Sequence, residues 1–70
     1  MPNDPEIYPY VVEGEGTRRL IVGPHSRILR YAQVGDQLEI GMVRYQLVER
    51  LFDTENGVIR LRFEVVAANP

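Results

Sequence analysis

The last third of the chain alternates. In residues 58–66, Ile59, Leu61, Phe63 and Val65 share one parity, and Arg60, Arg62 and Glu64 share the other. A period of two is that of a half-buried strand. Just before it runs Asp53-Thr54-Glu55-Asn56-Gly57, and Asn-Gly supplies the positive φ that a tight hairpin needs. Residues 43–52 are therefore the partner strand. Whether the connecting loop has two residues or four, odd-numbered residues of one strand face even-numbered residues of the other. Phe52, Arg50 and Val48 then lie opposite the apolar set 59/61/63/65. The early part of the partner strand is instead apolar at Val43, Tyr45 and Leu47. The phase changes at Leu47–Val48, which predicts one extra residue there, as a β-bulge or a sharp coil. A long strand that changes face midway serves two sheets of a small, strongly bent barrel.

The remaining segments fill in the same plan. Residues 37–40 read as a short strand with Leu38 and Ile40 inward. It is entered through Val34-Gly35-Asp36 and turned into the long strand by Gly41-Met42. Residues 8–13 and 18–22 are strands joined by Gly14-Glu15-Gly16-Thr17. These glycines do not make a nucleotide-binding fingerprint, because no helix follows and the spacing differs. Residues 24–33 fit two conformations. With Ser26 as N-cap, Ile28, Leu29 and Ala32 line one face of a one- to two-turn helix ending at Gly35; the same residues also fit an extended strand. The fold expected is all-β: a small SH3-like or related barrel of five to six strands, with one short helical turn near 26–32. It forms a single domain over residues 1–70, with loose tails at 1–7 and 67–70.

Composition narrows the setting. Seventy residues make one domain with a thin core, since chains of this size bury only about 60% of their unfolded surface. There is no cysteine, so neither a disulfide framework nor a cysteine-based zinc site reinforces it. Closure of a barrel or oligomerisation are the remaining supports. Nine valines, five isoleucines and six aromatics favour strands. The opening MPNDPEIYPY has neither a basic nor an apolar signal region, and no apolar run approaches a membrane span. The expectation is a soluble protein of a host cytoplasm or a virion, with no membrane partner.

Charge changes the picture most. Residues 1–15 hold four acids and no base, whereas residues 16–35 hold Arg18, Arg19, Arg27, Arg30 and His25 and no acid. All eight basic residues are arginine. Genome composition alone accounts for that, but so does a surface built for bidentate contacts to carboxylate or phosphate. Arg27 and Arg30 would share a face on a helical turn. With Arg18, Arg19, His25 and Tyr31 they form the candidate partner-binding site. Tyr8, Tyr10 and Tyr31 beside arginines are also the ingredients of a platform for single-stranded nucleic acid. Against that stands the net charge of −2, since nucleic-acid affinity rests on a basic surface. The acids of residues 1–15 offer the arginines a partner within the chain or in a neighbouring copy.

No catalytic constellation is legible. The one histidine, His25, and the one serine, Ser26, are adjacent, and nothing identifiable orients the imidazole. Asp36 and Asp53 sit in turns, where Asp satisfies nearby backbone. One histidine with scattered acids gives no metal-ligand spacing. No enzyme activity, cofactor, metal or small-molecule substrate is expected.

Residues 28–63 resemble the C-terminal barrel segment of bacteriophage head–tail joining (tail-attachment) proteins. The resemblance rests on Gly35-Asp36, Leu38, Ile40, Gly41, Tyr45, Leu47, the Asp53–Gly57 turn, and Leu61 with Phe63. It implies a structural component that assembles into rings by inserting tails and loops into neighbours, and no catalytic residues. The functional expectation is a non-catalytic interaction or assembly module, specifically a phage structural or accessory protein, acting on a protein partner or on itself. The alternatives are a small barrel that binds single-stranded nucleic acid and a small inhibitor that binds a host protein.

Overall fold

The computed structural model describes residues 5–21 and 29–68. Among these are five strands: β1 (Glu6–Glu13), β2 (Thr17–Leu20), β3 (Gln37–Ile40), β4 (Val43–Asp53) and β5 (Val58–Ala68). They form one mixed sheet in the order β2-β1-β5-β4-β3. Every neighbouring pair is antiparallel except β1 and β5, the first and last strands, which run parallel. Glu6 and Ile7 begin β1, and Ala67 and Ala68 end β5, so these four residues are strand rather than tail.

The β4–β5 ribbon is the spine, and its register confirms the phase change read from the apolar pattern. Asp53 pairs with Val58, Phe52 with Ile59 and Arg50 with Leu61. The loop therefore has four residues, and Gly57 closes it at φ 66°, a left-handed conformation that costs glycine little. Past Glu49–Arg62 the register slips by one, and Leu47 pairs with Phe63. Val48 is the extra residue. A second slip follows on the other strand: Tyr45 pairs with Val65 but Arg44 with Ala67, so Val66 is extra there. Each bulge bends the ribbon and strengthens its twist. The ribbon accordingly serves two flanks. β1 pairs only with residues 58–63 of β5, and β3 only with residues 43–46 of β4.

The bend gathers one apolar cluster on the concave face: Val11, Ile21, Leu29, Tyr45, Leu47, Ile59, Leu61 and Phe63 are buried, with Ile7, Leu38, Ile40 and Val43 packed around them. All strands contribute except β2 itself, whose four residues are exposed. Ile21, just after β2, enters the core, and its N–H donates to the Pro9 carbonyl at 2.9 Å. An antiparallel pair of this kind exchanges two bonds. Pro9 has no N–H to return, and the β2 ladder stops there.

Closure is where the structure departs from the expected barrel. β2 and β3 are the two ends of the sheet, and no Cα of β2 lies within 8 Å of one in β3. A four-residue strand cut short by Pro9 does not reach across the gap. Of the expected helical turn at 26–32, residues 26–28 lie outside the described residues, and 29–32 form a turn rather than a helix. Within it Leu29 alone has helical backbone, and its carbonyl accepts from the Ala32 N–H at 3.1 Å.

Two changes test this account. Leu47 is fully buried beside the bulge, so Leu47→Ala should cost about 2–5 kcal/mol, comparable with the whole stability of so small a core. Chemical denaturation followed by circular dichroism reads it. Deleting Val48 should be milder, because Val48 is the unpaired residue: without it every pair of the ribbon and the face of residues 43–47 are kept, and only the bend of the bulge is lost. A deletion variant that fails to fold would contradict the assigned register.

Candidate interaction site

The described part of the basic island does not form one cluster. Arg18 and Arg19 are neighbours on a strand, so their side chains leave from opposite faces. Arg18 lies on the convex face, its guanidinium carbon 4.9 Å from the centre of the Tyr10 ring. Arg19 lies on the concave side. Its Nε is 3.0 Å from Glu13 Oε1, and its Nη2 donates to the Tyr45 hydroxyl at 3.0 Å. Arg30 donates from Nη1 to the Pro5 carbonyl at 3.2 Å, and Tyr31 is 78% exposed. His25 and Arg27 lie outside the described residues. The Glu13–Arg19 pair joins the acidic first block of the chain to the island, as charge complementarity within the chain anticipates.

Arg18 belongs to a row of contacts that crosses four strands on the convex face. Tyr10 packs on Tyr8 with ring centroids 5.7 Å apart. Arg60 lies 5.1 Å from the Tyr8 ring centre. Arg60 in turn donates from Nε and Nη2 to Asp53 Oδ2 at 3.2 and 3.1 Å. Tyr8, Tyr10, Arg60 and Arg18 meet because β1 pairs Tyr8 with Arg60 on one side and Val12 with Arg18 on the other. Stacking of an arginine on a tyrosine contributes on the order of 0.5–1 kcal/mol at an exposed site. It also covers the ring: Tyr10 is only 5% exposed, although its neighbour Val11 occupies the core.

Most of the other arginines are neutralised. Arg44 lies 3.8 Å from Glu39, and Arg62 lies 3.7 Å from Glu49 and 3.5 Å from Glu64. These pairs are exposed, and each adds at most about 1 kcal/mol. Arg18, Arg30 and Arg50 have no carboxylate within ion-pair distance among the described residues; Arg30 and Arg50 donate to the Pro5 and Arg30 carbonyls instead, and Arg18 lies on the Tyr10 ring. Its neighbours on the convex face are apolar and open to solvent: Val12, directly opposite, is 45% exposed, and Leu20, two residues on, is 46% exposed. Sequence reasoning singled out Arg18 but missed Val12 and Leu20. The pairing that unites them follows from the β1–β2 turn, where Glu13 faces Thr17 across three residues of positive φ, Gly14, Glu15 and Gly16.

Behind this edge, between β2 and β3, is an open cleft of about 290 Å³ lined by Arg19, Leu20, Ile21, Ile40 and Tyr45. A second cleft, of about 280 Å³, lies over Leu29, Ala32, Leu38 and Phe63, with Tyr31 and Asp36 at its rim. Among the described residues, no three histidine or acidic side chains are grouped so as to hold a metal ion. No described helix is long and apolar enough to cross a membrane. No family model, curated protein sequence or solved structure matches the chain.

Asp53 anchors the far end of the row. Its carboxylate accepts from the Asn56 side chain at 2.8 Å, from the Glu55 and Asn56 N–H groups at 3.1 and 3.2 Å, and from Arg60. The Asn56 bonds, side chain before backbone, hold its pKa below the ordinary 3.8; desolvation opposes them and Arg60 adds to them. A carboxylate lowered on folding stabilises the fold above its unfolded pKa, and that contribution is lost as pH falls through the folded value. Asp53→Asn should therefore lower the melting temperature at pH 7. The difference from the parent should shrink as pH drops below about 4. Thermal melts of both proteins from pH 7 to pH 2.5 check this; a difference independent of pH would remove the charge from the explanation.

Proposed function

We propose that this chain is a non-catalytic protein-interaction or assembly module on an unclosed, SH3-like β-fold, and that its particular form is a phage structural or accessory protein. The observation that carries the reading is the open sheet. It ends in two short edge strands, β2 and β3, and apolar side chains stand exposed near them: Val12 and Leu20 at the β2 edge and Met42 in the turn after β3. Unpaired strand edges are templates for pairing with another chain. Beside them Arg18 offers a guanidinium for a partner's carboxylate. The resemblance of residues 28–63 to head–tail joining proteins supports the phage form of the reading. A small inhibitor that binds a host protein would use the same edge.

Binding of single-stranded nucleic acid has less support. Base stacking needs open aromatic faces; Tyr10 and Tyr8 lie against Arg18 and Arg60, which leaves Tyr31 as the one open ring of the three candidate tyrosines. Four of the described arginines already have carboxylate partners. Light scattering across protein concentration, with and without a labelled single-stranded oligonucleotide, separates the readings. The expected result is a mass unaffected by the oligonucleotide, rising with concentration if the partner is a second copy. A monomer that binds the oligonucleotide and releases it as salt rises would overturn the proposal.

A further inference from the structure

We infer that the outer edge of β2 binds an extended acidic segment of a partner protein, which adds as a further strand and places a carboxylate on Arg18. The inference rests on the interaction reading above and names the occupant of the edge.

Three observations converge on these four residues. First, β2 has β1 on one side and, among the described residues, no strand on the other. No Cα of β3, β4 or β5 lies within 8 Å of it. Strand spacing is about 4.8 Å, so one more strand fits beside β2 without displacing the sheet. Second, Arg18 lacks a carboxylate while Arg19, Arg44, Arg60 and Arg62 each have one among the described residues. The Tyr10 ring holds the guanidinium by its face, which leaves its edge, with paired N–H donors, for a bidentate carboxylate. Third, Leu20 and Val12 keep apolar surface exposed on the same convex face.

An added strand meets these groups at fixed spacing. Side chains two apart on the incoming strand share a face. One lands opposite Arg18 and the next opposite Leu20. The fitting sequence is therefore a carboxylate two residues from an aliphatic side chain, with small polar residues between, over the Arg19 side. Main-chain bonds along the edge supply affinity and the alternate side chains supply choice, as in strand addition generally. Phosphate would suit Arg18, but a nucleic acid offers neither the backbone donors nor the aliphatic group.

The test uses the full chain and a capped heptapeptide, TVTETVT, whose glutamate and valines share one face in either strand direction. The control is TVTQTVT. In ¹⁵N–¹H spectra, millimolar TVTETVT should shift the amides of Thr17 to Leu20 and their β1 partners, and TVTQTVT should bind about tenfold more weakly. Arg18→Gln should erase the difference between the peptides while leaving the spectrum dispersed. Arg18→Glu should prefer TVTKTVT. Shifts centred elsewhere, none up to about 10 mM, or equal affinity for both peptides would overturn the inference, even if light scattering still shows association through another surface. Concentration-dependent shifts at 17–20 without peptide would assign the edge to a second copy instead. Salt-sensitive shifts there with an oligonucleotide would overturn both the inference and the function it rests on.

Discussion

The register of the β4–β5 ribbon is the constraint on which the rest depends. Side chains of a strand alternate, so every residue that reaches the core from β4 does so only because Val48 is left out of the pairing. Between that bulge and the turn, Arg50 and Phe52 share the face of Leu61 and Ile59 but stay exposed, whereas on the other side of the bulge Val43, Tyr45 and Leu47 pack in the core. Leu47 and Phe63, paired directly across the ribbon, are both essentially without solvent contact. The second bulge, at Val66, restores the original register on the other strand. One bulge on each strand bends the ribbon as a whole. That curvature lets a thin sheet enclose eight buried side chains with no disulfide to help.

The ribbon also sets which surface is left over. β1 covers the first half of β5 and β3 covers the first half of β4. β2 hangs from β1 alone, shortened by Pro9. The convex face is then organised by a row of cations and rings that runs from Asp53 through Arg60, Tyr8 and Tyr10 to Arg18. At one end the charge is matched by the Asp53 carboxylate. At the other it is not, and the row finishes at an open edge. An unmatched arginine held on a tyrosine, between two exposed aliphatic side chains, is the most specific chemical feature among the described residues. It gives the interaction reading a location.

Much of this was readable along the chain. The strict alternation at 58–66, the parity break at Leu47–Val48 and the turn residues at 34–36, 41–42 and 53–57 gave all five strands nearly in their observed places. They gave the bulge as well, because period, parity and turn chemistry are local properties of neighbouring residues. The basic island was legible as a composition but not as a site. Arg18 and Arg19 are adjacent in sequence, yet the pleat sends one to Tyr10 and the other to Glu13 and Tyr45.

What the sequence by itself determined is the all-β class, the strand positions, the apolar faces of the last three strands and the acid–arginine complementarity of the first half. Only the tertiary structure decided that the first and last strands pair in parallel, that the sheet stays open, and which arginines are left without an acid. These depend on contacts between residues far apart in the chain. Tyr8 with Arg60, Arg19 with Tyr45 and the gap between β2 and β3 are set by how the bent ribbon places its flanks. No local pattern encodes that distance.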